Sequence, residues 1–197
     1  NHQSALDIVI LQRVFSKKIP FLKFLVKKEL FWLPILGQCW WLLGFPFVNR
    51  QKKTFRKDNK IAGLKDFSTL RNTCKKLQHT PSTLISFLEG TRLTKEKKQN
   101  RLLRYKHLLP PKAGSFSLIV NQMEQKIKKI IDVTIVYPNG PKSLLSLFNG
   151  GVKHVIINIK LINISNELIG NYETDPIYKT NIQQFLNKIW KEKDQLI

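Results

Sequence analysis

His2 and Asp7 stand five residues apart in the opening segment Asn1-His2-Gln3-Ser4-Ala5-Leu6-Asp7. If a helix begins near Ser4, His2 lies in the turn before it, and the Asp7 carboxylate reaches back to the imidazole Nδ1–H. Such a carboxylate fixes the tautomer and leaves Nε2 as a proton acceptor, the arrangement of a general base. An imidazole with an unperturbed pKa of roughly 6.5 suits that work at neutral pH, where it contributes about 10² to 10⁴ in rate. A histidine near an aspartate is commonplace on protein surfaces, so the pair gains meaning only from what accompanies it.

Three further segments carry anion-binding chemistry. Phe87-Leu88-Glu89-Gly90-Thr91-Arg92 follows a strand-like run. Gly90 permits a tight turn whose N–H groups face an anion, and Arg92 offers a fork matched to phosphate oxygens. Glu89, one of only 13 acidic residues, fits such a site if it orients Arg92 or a substrate hydroxyl; the alternative is a plain β-turn with a charge pair. Gly44-Phe45-Pro46-Phe47-Val48-Asn49-Arg50 places Arg50 after an apolar strand, either to bind a phosphate at the rim of a greasy groove or to end a buried strand. Pro111-Lys112-Ala113-Gly114-Ser115-Phe116 sets Lys112 ahead of a helix whose dipole also favours an anion.

The elements that must position these residues follow from periodicity. Ser4–Phe15 reads as a helix with Ser4 as a cap, and Phe21–Val26 as a short strand. Gly63–Gln78 carries Leu64, Phe67, Leu70, Cys74 and Leu77 at helical spacing, and Pro81 stops it. Strands are expected at Thr83–Phe87, Asp132–Tyr137 and Val155–Ile162, a helix at Ser115–Met123, and a basic loop or helical excursion over residues 95–112. Asp175 caps a last helix with Pro176 in its first turn and Tyr178, Ile182, Phe185 and Ile189 as its inward stripe. Strands separated by helices imply an α/β layer structure. From Phe31 to Val48 the chain is almost wholly apolar, Gln38 excepted, and is interrupted by Pro34, Gly37, Gly44 and Pro46. With Lys23, Lys27 and Lys28 beside it and Trp32, Trp40 and Trp41 within, it reads as an interfacial segment or the wall of an acyl cleft, or else as a buried helix and strand.

With 197 residues and 42% hydrophobic content the chain has material for one core, which excludes wholesale disorder. Lys and Arg number 34 against 13 acids, a net charge of +21 that draws nucleic acid, anionic lipid or phosphorylated small molecules alike. Since 27 of the 34 are lysines, part of the excess fits neutral solvation. Cys39 and Cys74 make no disulfide framework and have no zinc-type spacing, so both are expected as buried free thiols. His79, His107 and His154 match no motif and are expected on the surface or in loops.

Taken in order and spacing, the four segments, with Val133-Thr134-Ile135-Val136-Tyr137-Pro138 behind them, resemble the glycerolipid acyltransferase family, which includes the lysophosphatidic acid acyltransferases. His2 and Asp7 match its H(x4)D block, Gly44–Arg50 its second, Glu89-Gly90-Thr91-Arg92 its EGTR block and Val133–Pro138 its last. The wording EGTRLTKEKK, YKHLLPPKAGSF and DVTIVYP is most similar to the branch of lysocardiolipin and some lysophosphatidic acid acyltransferases. One departure is Leu88, where many members have proline.

The resemblance implies a mixed α/β fold like that of glycerol-3-phosphate acyltransferase, a largely parallel central sheet flanked by helices. The resemblance runs from residue 1 to about 138, and the chain length suits one acyltransferase domain over residues 1–197, expected to lack a native N-terminal membrane-associated segment. The implied reaction moves a fatty acyl group from a thioester, acyl-CoA or acyl carrier protein, to the hydroxyl of a lysophospholipid by direct attack. His2 is the implied base and Asp7 its partner. Arg50, Arg92 and Lys112 would neutralise phosphate, Glu89 would position the glycerol or Arg92, and Gly90 and Thr91 would shape the turn. Trp32, Trp40, Phe45 and Phe47 would line the acyl channel. No bound cofactor or metal is implied. The expected partners are the two substrates and an anionic membrane surface on the cytoplasmic face of the inner membrane. A basic nucleic-acid- or anionic-lipid-binding module without catalysis is the competing class, but no RNP-like strand, zinc spacing or helix-turn-helix accompanies the charge, so nucleic acid is not expected, and the intact His2 and Asp7 argue against an inactive lipid binder.

Overall fold

Ser4, expected as the cap, stands one residue before it: the N-cap of the first helix is Ala5, with no side-chain cap, while Ser4 Oγ accepts the Leu6 N–H at 3.1 Å and its carbonyl the Asp7 N–H at 3.2 Å. The resulting helix α1 (Leu6–Phe15) buries Leu6, Asp7 and Leu11 on one face. In this computed structural model the described residues are 1–48, 68, 70–77, 79, 81–91, 104–140, 143, 146 and 149–197.

After α1 the apolar run at Phe21–Val26 forms two short strands, β1 (Leu22–Phe24) and β2 (Val26–Lys27). A 3-10 turn (Lys28–Trp32), helix α2 (Leu36–Leu42) and strand β3 (Phe47–Val48) follow. Residues 70–77 form helix α3, the described part of the helix expected over Gly63–Gln78. Beyond it come β4 (Thr83–Ile85), α4 (Ala113–Gln122), β5 (Lys129–Val136), β6 (Ile156–Asn163) and α5 (Pro176–Leu196).

The sheet expectation is met only in its mixed character. The described residues form three two-stranded pairings rather than one central sheet. β1 runs parallel to β4 with Leu22 opposite Thr83, and β2 runs parallel to β3 with Val26 opposite Phe47. The longest pairing, β5 with β6, is antiparallel, from Lys129 opposite Asn163 to Val136 opposite Ile156. Parallel pairing here is confined to partners two or three residues long, joined through long connections as parallel strands require. Side chains still join the layers: Leu11 of α1, Leu22 of β1, Ile85 of β4 and Ile135 of β5 share one buried cluster with Tyr137.

Helix α5 is the longest described element. Asp175 Oδ1 accepts the Ile177 and Tyr178 N–H groups at 2.9 Å each, and Pro176 takes the first helical position. Tyr178, Ile182 and Leu186 pack on Ala113, Phe116 and Val120 of α4. The Tyr178 hydroxyl donates to the Leu168 carbonyl at 2.8 Å and lies 2.9 Å from Ser117 Oγ, so the buried hydroxyls satisfy one another.

Helix α2 inverts the usual pattern. Gln38, the polar exception in its run, accepts the Ile35 N–H at 3.0 Å and so fastens the helix start. Trp41, Leu42 and Leu43 nonetheless face outward, as do Trp32 and Ile35 before them. The segment folds as a helix and strand, with Phe45 buried against Phe24 and Val26 while one face of α2 is left exposed. Cys39 shares this exposure, which corrects the expectation of two buried thiols; only Cys74 is buried, and burial lifts its thiol to about 11. Among the described residues no helix is long and apolar enough to cross a membrane.

Candidate active site

The short span from His2 to the first turn of α1 folds the imidazole onto the carboxylate. His2 Nδ1 lies 2.8 Å from Asp7 Oδ2, and the same oxygen accepts the N–H groups of Gln3 at 2.8 Å and Ser4 at 3.0 Å. Asp7 Oδ1 accepts the Tyr137 hydroxyl at 2.6 Å. Burial alone pushes the Asp7 carboxyl upward, but the bonds from His2, Tyr137, Ser4 and Gln3 outweigh it and hold the group below the ordinary carboxylate value. Asp7 is therefore an anion with no exposed surface, and with Nδ1 committed to it, Nε2 is the nitrogen available for proton transfer. Phe87 stacks on the imidazole at 4.1 Å between ring centroids.

Glu89 lies directly behind this pair. Its side chain, only 2% exposed, is turned inward: Oε1 accepts the His2 N–H at 3.0 Å and Oε2 the Leu109 N–H at 3.2 Å. Burial pushes its carboxyl up, opposed by these N–H donors. The residue expected to orient a ligand thus holds the main chain of His2. Gly90, next to it, has φ +70°, the left-handed region that glycine enters without strain. A Cβ there would meet Lys112 Nζ at 2.6 Å, because the Lys112 side chain crosses the turn. Lys112 and Thr91 are exposed beside it. Arg50 and Arg92 lie outside the described residues.

Strand β5 supplies the other wall. Asn1 Oδ1 accepts the Ile135 N–H at 2.8 Å and Asn1 Nδ2 donates to the Ile135 carbonyl at 2.7 Å, so the amide substitutes for a neighbouring strand residue. Two residues on, with the period-2 alternation of a strand, Tyr137 reaches Asp7. Asp132 of the same strand receives Lys193 of α5: Nζ lies 2.7 Å from Oδ1 and 2.7 Å from the Val133 carbonyl, with only 3% of Lys193 exposed. Burial lowers the Lys193 ammonium, against the pull of Asp132. Helix α5 also braces the Glu89 side of the site, since Trp190 Nε1 donates to the Leu109 carbonyl at 2.9 Å.

Sequence reasoning missed Asn1, Tyr137, Trp190 and Lys193 as parts of this assembly. For Lys193 a signal existed: it continues the inward spacing of Tyr178, Ile182, Leu186 and Trp190, where a charge needs a buried partner.

Of the residues expected around an acyl chain, Trp40, Phe45 and Phe47 share one apolar cluster with Phe24 and Val26. Phe45 and Trp40 pack on Phe24 at 4.7 and 5.9 Å, Phe47 meets Phe31 at 5.6 Å, and Trp32 is 82% exposed. A separate apolar cavity of about 500 Å³ runs between β4 and β5, with Leu11, Phe15, Leu22, Ile85 and Ile119 in its wall, Asn1 at one side and Lys126, Lys128 and Lys129 also lining it. Of the remaining histidines, His79 and His154 are exposed and His107 is half-buried in a bend, its N–H donating to Asp194 at 2.7 Å. Among the described residues no three His, Cys, Asp or Glu side chains gather as metal ligands would.

Known proteins sharpen the comparison. Human 1-acyl-sn-glycerol-3-phosphate acyltransferase delta is 26% identical over 183 residues, covering 87% of this chain and 43% of the relative. Chicken lysocardiolipin acyltransferase 1 is 30% identical over 129 residues, 59% of this chain and 32% of the relative. Arabidopsis thaliana 1-acyl-sn-glycerol-3-phosphate acyltransferase 3 is 28% identical over 175 residues, 81% and 43%. The chain thus spans less than half the length of these relatives, and no solved structure matches it. The family model for acyltransferases matches residues 1–138, from the His2–Asp7 pair through the end of β5, and the chain belongs to the acyltransferase family.

Proposed function

We propose that this chain carries the transfer site of a lysophospholipid O-acyltransferase, moving a fatty acyl group from acyl-CoA or acyl carrier protein to the free hydroxyl of a 1-acylglycerol-3-phosphate or a related lipid. The observation that carries this reading is the junction at His2, whose side chain is held by Asp7 and whose main chain is held by Glu89. Through Glu89 the His2 main chain is tied to the residue that precedes the Gly90 turn, over which the Lys112 side chain lies.

In the proposed reaction His2 Nε2 takes the proton from the acceptor hydroxyl as its oxygen attacks the thioester carbonyl. The tetrahedral intermediate collapses, the C–S bond breaks, and the imidazolium returns the proton to the departing thiolate. Asp7 stabilises the imidazolium in between. No acyl-enzyme and no bound cofactor are needed. Lys112, with Arg92 and Arg50, neutralises the lipid phosphate, while Gly90 and Thr91 shape the turn. Glu89 serves from behind by fixing the base. For the acyl chain the cavity between β4 and β5 suits better than the expected set Trp32, Trp40, Phe45 and Phe47, because it is apolar and its wall includes Phe87, which stacks on His2.

Contact with an anionic membrane surface belongs to the same reading, on the cytoplasmic face of the inner membrane. Trp32, Trp41 and Leu42 would enter the interface, with exposed Lys27, Lys28, Lys126, Lys128 and Lys129 contributing about 1 kcal/mol each where they approach the head groups. The decisive assay measures thiol release from acyl-CoA by the full-length protein against a panel of lysophospholipids. Turnover is expected with at least one phosphate-bearing acceptor, and His2→Ala is expected to lower it about 10²- to 10⁴-fold with an unchanged circular dichroism spectrum. Retained turnover in that variant removes His2 as the base.

A further inference from the structure

The Asp7 carboxylate is divided between two tasks. Oδ2 takes His2 and two main-chain N–H groups, whereas Oδ1 takes the Tyr137 hydroxyl at 2.6 Å, the shortest of these bonds. Tyr137 comes from the opposite wall, 130 residues along the chain, and is itself buried. We propose that Tyr137 is a positioning residue for the His2 base, locking the rotamer of Asp7 and drawing carboxylate charge away from the imidazole so that His2 gives up its proton more readily. This rests on the role given to His2 above.

The physical argument has two parts. A carboxylate held at only one oxygen turns about its Cβ–Cγ bond, whereas one held at both oxygens from opposite walls presents Oδ2 to Nδ1 in a single geometry. Charge follows the same bond. A hydroxyl donating to Oδ1 stabilises negative charge there, and what it stabilises is unavailable to attract the His2 imidazolium. Burial first, and then the bond to Asp7, pushes the Tyr137 hydroxyl well above its ordinary value, so it remains a donor at every working pH. The main chain ensures that it arrives in register, since Asn1 pins Ile135 of β5 two residues earlier. The other charged groups around the pair are Glu89 from the β4 turn and Asp132 of β5 with Lys193 of α5; these remain in place when only the Tyr137 ring is altered.

Two alterations of that ring act in opposite directions. Tyr137→Phe removes the donor, leaves more charge on Asp7 and raises the proton affinity of His2. Replacing Tyr137 with 3,5-difluorotyrosine keeps the donor, makes it more acidic and strengthens the bond, which lowers that affinity. The experiment uses the full-length protein and reads two quantities: the pH profile of kcat/KM with acyl-CoA and lysophosphatidate, and the His2 ring ¹⁵N shift against pH. For Tyr137→Phe the acid-limb midpoint is expected to rise by about half a pH unit, with kcat down about tenfold and KM within about twofold. For the fluorinated ring the midpoint is expected to fall. A residue that only fills space moves neither midpoint. Midpoints that stay put in both variants, while His2→Ala abolishes turnover, overturn the Tyr137 proposal alone. Turnover retained by His2→Ala overturns the base and the proposal with it. If the phenylalanine variant does not fold, the fluorinated protein decides the matter by itself.

Discussion

The walls of the His2 site and the surface of helix α2 break the rule of apolar inside and polar outside in opposite senses. Around His2 the interior holds Asp7, Glu89 and Lys193, each almost fully buried and each bonded to a named partner. Along α2 and the turn before it, Trp32, Ile35, Trp41 and Leu42 are 61–82% exposed. A buried charge is tolerated only where geometry compensates its lost hydration, so the first region is rigid by necessity. The second needs no geometry at all, because apolar side chains adapt to whatever covers them. Departures from local rules mark the places where a fold serves something other than its own stability.

Lys193→Ala is the sharpest test of the first region, because it strips the half-buried Asp132 and the Val133 carbonyl of their buried cation. A loss of about 3–5 kcal/mol is expected in denaturant unfolding, as for other buried ion pairs stripped of one member. Lys193→Met, which retains the stem but not the charge, should fall by a similar amount, and a drop below about 1 kcal/mol in both would show that the pair is solvated. Acid sensitivity provides the next test. The folded Asp7 carboxyl is held below its unfolded value, so the stability it contributes is present above the unfolded value and lost as pH falls through the folded one. Asp7→Asn should therefore flatten the acid limb of the stability curve while lowering stability at neutral pH, where the donors of Asp7 lose a charged acceptor. An unchanged acid limb would place the pH dependence elsewhere.

The contrast also explains what the sequence made legible. The His2–Asp7 contact spans five residues and one helical turn, so its spacing announced it; Glu89 meets His2 across 87 residues and Tyr137 meets Asp7 across 130, and contacts that long leave no periodic trace. Helix α5 was legible from Asp175 and Pro176, but its buried face is centred roughly 50° further round than Tyr178, Ile182, Phe185 and Ile189 suggest. The cause is tertiary: Trp190 is drawn to Leu109 and Lys193 to Asp132, leaving Phe185 and Ile189 half-buried. Strand positions were recovered, whereas their grouping into one largely parallel sheet was not, because an apolar run does not specify its partner or direction. For the run from Phe31 to Val48 hydropathy could not distinguish burial in a core from exposure to an interface, since both call for the same residues.

The exposed tryptophans give the smallest effect on the fold and so the cleanest separation of fold from function. Trp32 and Trp41 are 82% and 61% exposed, so their replacement removes little that folding buries. For Trp32→Ser with Trp41→Ser the expected stability change is within about 0.5 kcal/mol. Insertion of each ring into an interface is worth about 1.5 kcal/mol or more, so the double variant should bind anionic vesicles at least about a hundredfold more weakly. Lysine variants at Lys126, Lys128 and Lys129 should instead lose affinity chiefly at low salt, because their contribution is screened within a Debye length of about 10 Å at 0.1 M. A double tryptophan variant that melts early yet floats with vesicles as before would mean that these rings serve packing after all, and the opposition between the two regions would then dissolve into one core with an untidy edge.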